Sequence, residues 1–413
     1  NYGQKITWQT FIEYAAKIQS CSPAVNIASL VGHNTLRSAA AGYDNTVLSQ
    51  SQTAVMNQLL LNTLASGAAG VSTGLLYVPG KFADKDEIVN ILKSTSKFNL
   101  QYATHLRSEG NKLIEAIDEA VDVCRAAGQQ KLHISHFKVA GSGNWCKIDA
   151  AAALIQRSQS DRLRITVDCY PYTEAMTQLS VIAPPPFDDM DDSALMHTLA
   201  DSKKFKQLRD YFNQLPASRW DTIRMVNTNC SHLLPYRGLT FSEIEKIVKI
   251  TAGQLAAELL RDDAVNASAA FMGMSQEIVN YIAALPYSVC GTDESARPQD
   301  YSIGRSHPRG FGSVPRFFNL ISALLPLESV IYKLTGLPAS IFNLHRRGFI
   351  AVDAYADLVL FSPYKLSSGA DFSVPHRLAA GIHSVWVNGK MSYREQQVLP
   401  QRHGRFLKIN CPC

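Results

Sequence analysis

The chain has 413 residues, 46% of them hydrophobic and 18% charged, which is enough to bury a large core and allows one big domain with a smaller companion or an insertion. Its formal net charge of +5 is mild and no dense Lys/Arg stripe interleaved with aromatics occurs, so nucleic acid is not an implied partner, while small or anionic substrates stay open. No run approaches about eighteen consecutive apolar residues, and "NYGQKITWQT" lacks the basic start and apolar core of a signal peptide, so a cytoplasmic protein outside the membrane is expected.

Six apolar, β-branched runs are predicted as strands: residues 26–34, 69–76, 100–105, 132–137, 164–170 and 287–293. Helical stretches lie between them, the pattern of βα units around a parallel sheet. Between the third and fourth runs, Leu113, Ile114, Ile117, Val121 and Cys124 share one helical face, with Asn111 able to cap the start and Gly128 the end. Polar groups gather at the C-terminal ends of these runs: His33, Ser72, Thr73, His105, His136, Tyr170 and Asp293. That rim is where a (β/α)8 barrel assembles its active site, so the expected fold is a TIM-like barrel with six of its eight strands in this chain. Strand alternation would aim His136 and Lys138 the same way, and His105 and Arg107 would repeat the arrangement one unit earlier.

Residues 180–265 break the rhythm with "APPPFDDMDD" and a mostly helical run, predicted as an insertion over the barrel mouth. After residue 348, "GFIAVDAYADLVLFSP" and "IHSVWVNGKMSY" look like short strands with turns. The expected division is therefore a barrel over 1–348 and a small β module over 349–413. The eight cysteines are scattered, and the one close pair, Cys411/Cys413, fits no zinc-ribbon spacing, which favours small core residues in a reducing compartment.

Two histidines on neighbouring strand ends could share a divalent metal, and imidazole nitrogen with an open water position suits zinc; satisfied histidines in a polar rim are the plainer alternative. Asp293 in "VCGTDESA" could take a proton from metal-bound water and pass it to a leaving amine, or could serve as a turn residue. Lys138 and Arg309 could hold a substrate carboxylate, or be structural charges. "GAAGVSTGLLYVPG" is glycine-rich but lacks the Gly-Lys-Ser/Thr ending of a phosphate loop. His232 lies in the insertion and is expected to be structural.

The ordered string of "GHNTLR", "GVSTGLLYVPG", "THLRSE", "HISHFK", "DCYPYT", "GTDES", "HPRGFGSVPRF", "LTGLPASIFNLHRRG" and "ADLVLF" resembles the N-acyl-D-amino-acid deacylases, the D-aminoacylase branch of the amidohydrolase superfamily, from about residue 26 to 395. The resemblance implies a zinc-dependent barrel with a small β-sandwich, hydrolysing N-acyl-D-amino acids to a D-amino acid and a carboxylate. It also implies metal ligands at His105 and His136, a proton shuttle at Asp293, groups approaching the substrate's carboxylate or scissile carbonyl at Lys138 and Tyr170, and Arg309 as a further candidate for the carboxylate. Met176 stands where the family's "Tyr-Pro-Tyr-Thr" segment leads to a substrate-binding Ser, and Thr177 remains beside it.

At the front the sequence departs from that pattern. No His-x-His occurs, and Cys21 lacks the expected Asn-Cys-Gly context. With residue 1 an Asn and two strands unaccounted for, the chain is expected to lack roughly a hundred N-terminal residues, the size of two βα units and part of the sandwich. A complementing segment or a second copy is then the expected partner. The alternatives are a hydantoinase- or dihydroorotase-like cyclic amide hydrolase, disfavoured because "AGVSTGLL" carries no bridging Lys, and a non-catalytic fragment or assembly partner.

Overall fold

The computed structural model describes residues 6–95, 98–160 and 162–409. Cys411 and Cys413 lie outside the described residues. Strands β1 (Val31–Gly32), β2 (Gly70–Gly74), β3 (Gln101–His105), β4 (Lys131–Ile134) and β5 (Arg164–Cys169) run parallel in sequence order. The chain then builds a separate antiparallel sheet from β6 (Glu174–Gln178), β7 (Ile223–Asn227) and β8 (Ser268–Met272), in the order β6-β8-β7. It returns as β9 (Ser288–Cys290), which pairs parallel with β5. These six parallel strands are staves of a (β/α)-barrel, with β1 and β9 at the two edges of the sheet. A further antiparallel sheet of β10 (Leu358–Phe361), β11 (Ile382–Val387), β12 (Lys390–Arg394) and β13 (Gln397–Val398) completes the strands.

Alternation along the staves explains the core. Leu132 and Ile134 of β4, and Ile165 and Val167 of β5, face the outer helices and join one buried cluster with Ile117 and Val121 from helix Leu113–Ala127. His133, Thr166 and Asp168 face the other way, toward the barrel interior. Helix Leu113–Ala127 ends at Gly128 with φ +69°, the left-handed cap expected of it. Its start differs from expectation: Lys112 occupies the cap position without a side-chain bond, and Asn111 Oδ1 instead accepts from Asn144 Nδ2 at 3.0 Å.

Three strand expectations are corrected. The first run forms only Val31–Gly32, because His33 already opens helix His33–Ala41. The fourth stops at Ile134, so His136 lies in a turn at φ +38° and strand alternation does not set its direction. Arg107 turns away from the barrel mouth, donating to Glu119 at 3.0 Å and to the carbonyl of Ala83.

Between Leu179 and Ala269 a second apolar cluster forms around Leu208, Phe212, Trp220, Phe241 and Leu260. Strand β7 in this stretch, read from sequence as mostly helical, is short, and its partner β8 lies dozens of residues away. Near the chain's other end, Phe406 bridges Ile27 and packs its ring edge-on to Phe11, so the last residues return to the first described ones. No helix among the described residues is long and apolar enough to cross a membrane. Trp220 sits between Phe212 and Phe241, at ring separations of 5.8 and 5.7 Å. Trp220→Ala should therefore lower stability by about 3–5 kcal/mol, seen as an earlier denaturant midpoint; an unshifted midpoint would show that this cluster is not a stabilising core.

Candidate active site

Asp168, near the end of β5, sets the geometry of the neighbouring strand end. Its Oδ2 accepts from His133 Nε2 at 2.8 Å, and its Oδ1 accepts from the backbone N–H of His136 at 3.1 Å. The next N–H, of Phe137, donates to the Asp168 carbonyl at 2.8 Å. These bonds hold the turn after β4 and keep His136 in its left-handed conformation, which is costly for a non-glycine residue. Gly291 lies against the same carboxylate, and a Cβ there would fall 2.1 Å from Asp168 Oδ1, so only glycine fits. Burial alone would raise the Asp168 pKa, but the hydrogen bond and charge of His133, with help from His136, bring it below its ordinary value.

The turn delivers His136 to His105, the last residue of β3. His105 Nδ1 and His136 Nε2 are 2.8 Å apart. His136 Nδ1 lies 2.9 Å from Glu109 Oε1, and Glu109 Oε2 lies 3.0 Å from Lys138 Nζ. Burial is the largest influence on Glu109 and would raise its pKa, yet Lys138 and the two histidines outweigh it and hold the carboxyl well below the usual range. Lys138 is likewise kept charged against burial by Glu109, Tyr170 and Asp293. His105 is driven the other way: burial lowers its pKa to about 3, with Glu109 opposing, so the imidazole is neutral and carries a free lone pair at ordinary pH.

A second group faces this one across Tyr170. The Tyr170 ring has Arg309 over it at 4.6 Å and Lys138 Nζ at 5.7 Å, and its buried hydroxyl has no hydrogen-bond partner among the described residues. Arg309 opens helix Arg309–Ser322, places Nη1 2.8 Å from Asp293 Oδ2, and donates through Nη2 to the Met176 carbonyl at 3.3 Å. Asp293 follows β9 with φ +47°, and its side chain keeps 32% exposure. The structure thus brings His105, His136, Lys138, Tyr170, Asp293 and Arg309 into one connected cluster at the C-terminal rim.

Glu109 and Tyr77 also belong to it and were not singled out from sequence. Glu109 stands four residues beyond His105 in "HLRSE", and a carboxylate that close to a candidate ligand was the available signal. Tyr77 packs edge-on to His105 at 5.1 Å and its hydroxyl lies 3.3 Å from Thr177 Oγ1, so Thr177 meets the site through a tyrosine. Other residues singled out from sequence stay apart. His33 is fully buried against Glu87 at 2.7 Å, Thr73 donates to Thr104 at 2.8 Å inside the sheet, and His232 is exposed.

His105, His136 and Glu109 offer two imidazole nitrogens and a carboxylate oxygen lying within 4.8 Å of one another. His105 Nε2 is buried without a hydrogen-bond partner among the described residues. This converging donor set of two imidazoles and a carboxylate fits a divalent cation that accepts mixed nitrogen and oxygen ligands. Two cavities adjoin the cluster: one of about 370 Å³ bordered by Tyr77, and one of about 600 Å³ bordered by Met176, with Thr177 lining both.

No family model matches the chain. It is similar to a D-aminoacylase of Alcaligenes xylosoxydans xylosoxydans, with 29% identity over 408 residues that span 98% of this chain and 75% of that protein. Among solved structures, a crystal structure of D-aminoacylase described as defining a novel subset of amidohydrolases is 30% identical with a TM-score of 0.77, covering 97% of this chain and 75% of that one. An N-acyl-D-glutamate deacylase from Bordetella bronchiseptica, complexed with zinc and a phosphonate mimic of the tetrahedral intermediate, is 25% identical with a TM-score of 0.79, covering 98% and 76%.

The lowered pKa of Asp168 makes stability pH-dependent with a definite sign. Its contribution is fully present above the unfolded value near 3.8 and is lost as pH falls through the lower folded value. Asp168→Asn should destabilise by about 1–3 kcal/mol at pH 7, and the gap between variant and parent should shrink once the pH falls below about 3.8. Denaturant unfolding at both pH values checks this; a gap that widens in acid would contradict the assignment.

Proposed function

We propose that this chain, which belongs to the D-aminoacylase family of amidohydrolases, hydrolyses the amide bond of N-acyl-D-amino acids to a free D-amino acid and a carboxylate. The observation that carries the reading is the convergence of the His105–His136 pair with the Asp293–Arg309 pair at one barrel rim. Residues 1–348 would form the catalytic barrel with its insertion at 180–265, and 349–413 its companion β module.

His105 and His136 would hold a zinc ion, with Glu109 as a further oxygen donor. When bound, such a cation supplies Lewis acidity at the scissile carbonyl and makes water acidic enough to attack near neutral pH. The chain's own groups supply the rest. Asp293 has Oδ2 committed to Arg309, which leaves Oδ1 to take the proton of the attacking water and to deliver it to the departing amine nitrogen. Arg309, 2% exposed and faced by the Tyr170 ring, would hold the substrate's α-carboxylate through its planar donor edge. The Tyr170 hydroxyl and Lys138 stand between the two pairs, where a donor meets either the carboxylate or the oxygen that gains charge at the scissile carbon. The free thiols among the described cysteines favour a cytoplasmic setting.

Two measurements test this. Asp293→Asn should keep its fold and its zinc while losing on the order of 10²–10⁴ in turnover of N-acetyl-D-amino acids, the scale of a positioned acid–base group; near-parental turnover would reject the role. His105→Ala and His136→Ala should each strongly reduce bound zinc in elemental analysis, and parental zinc content in both would remove these residues from the metal site.

A further inference from the structure

The peptide joining Asp293 to Arg309 has no strand or helix of its own: β9 ends at Cys290 and the next helix starts at Arg309. Its two ends carry the acid–base candidate and the carboxylate-binding candidate; Asp293 stands close to the end of β9, whereas Arg309 is approached only through the whole peptide, so what fixes the peptide bears chiefly on Arg309. Within it, Arg297 Nη1 donates to the Ile303 carbonyl at 2.6 Å and the Gly304 N–H to the Tyr301 carbonyl at 2.9 Å. These bonds shape the tip but do not anchor it.

The anchors come from elsewhere in the fold. Asn227, at the end of β7, accepts from the Arg305 N–H at 3.0 Å. Segment 371–376, which precedes β11, supplies the others. Asp371 Oδ1 accepts from the N–H groups of Ser373 and Val374, both at 2.8 Å, forming a turn that presents the carbonyls of Phe372 and Ser373; Arg305 Nη2 donates to both at 2.8 Å. His376, 1% exposed, enters beside them. Its Nε2 lies 3.2 Å from the Ser306 N–H, which can only donate, so Nε2 is the acceptor and the ring proton sits on Nδ1. That Nδ1–H donates to the Pro298 carbonyl at 2.8 Å. One neutral ring thus ties both limbs of the peptide together, stacked on Phe311 at 4.8 Å and against Tyr301 at 4.5 Å. Beyond Ser306, His307 Nδ1 accepts from the Arg309 N–H at 3.0 Å, and the His307 ring meets Phe372 edge-on at 4.8 Å.

We propose that His376 is a positioning residue for carboxylate recognition: from outside the barrel it fixes the peptide that aims Arg309. The proposal rests on the reading of Arg309 as the group that holds the substrate's α-carboxylate. His376 touches neither Arg309 nor Asp293 directly and acts through Ser306 and His307. The same peptide forms one wall of the cavity of about 600 Å³ through Gly304 and Arg305, so its position also shapes the space next to Met176.

The test compares His376→Phe, which keeps the ring stack but loses the hydrogen bonds to Ser306 and Pro298, with His376→Gln, whose side-chain oxygen can accept from Ser306. Each is assayed in the full chain on an N-acetyl-D-amino acid and on its C-terminal carboxamide. His376→Phe should raise KM for the acid about tenfold with little change in kcat, leave kcat/KM for the carboxamide near parental, and be largely rescued by Gln. Hydrogen exchange should quicken over 298–309 and stay parental over 131–138. Equal losses on acid and carboxamide, or unchanged exchange over 298–309, would overturn the proposal. Hydrolysis of neither substrate by the parent chain would defeat the functional reading alone, and the exchange result would still decide whether His376 holds this peptide.

Discussion

The carboxylate of Asp168 binds two things at once, the His133 ring and the His136 backbone, and the geometry of the metal-binding candidates depends on that double use. A histidine at φ +38° does not stay there unless its surroundings over-determine the turn. The His133 pair keeps the carboxylate ionised in a buried position, the ionised carboxylate accepts from the His136 N–H, and Gly291 leaves room for it on the adjacent stave. Each of these three features supports the turn that brings His136 to His105.

Around that clamp, charge is arranged in alternation. Lys138 answers Glu109, Arg309 answers Asp293, and Glu294, 3% exposed, lies 3.9 Å from Arg309 Nε. Buried charges survive only when paired this closely, because desolvation otherwise drives them neutral. Burial does drive His105 neutral, as a ligand nitrogen requires, and pushes the Glu294 carboxyl up. Asp293, partly exposed, pairs with Arg309 through Oδ2 alone among the described residues.

The site is framed by parts of the chain that contribute no stave. Strand β6 lends the Met176 carbonyl to Arg309 and Thr177 to Tyr77, while segment 371–376 holds the long peptide leading into Arg309. A barrel rim alone would leave that peptide tethered only at its ends.

The sequence by itself determined the staves, the helix face between β3 and β4, and the candidates at the strand ends, because period-2 and period-3.6 patterns and ordered motifs are local properties. It was sufficient to pick out His105, His136, Lys138, Tyr170, Asp293 and Arg309, which the fold then joins. It did not reveal Glu109, Tyr77, the Asp168 clamp or the His376 anchor, it set Arg107 in the wrong direction, and it reached the shared direction of His136 and Lys138, which both meet Glu109, through a strand where the structure has a turn. Only tertiary structure decided these, since each depends on a contact between residues from separate elements: Asp168 reaches back 35 residues to His133, and His376 reaches back 70 to Ser306. A buried polar group is selected by the partner that satisfies it, and that partner is defined only once the chain has folded.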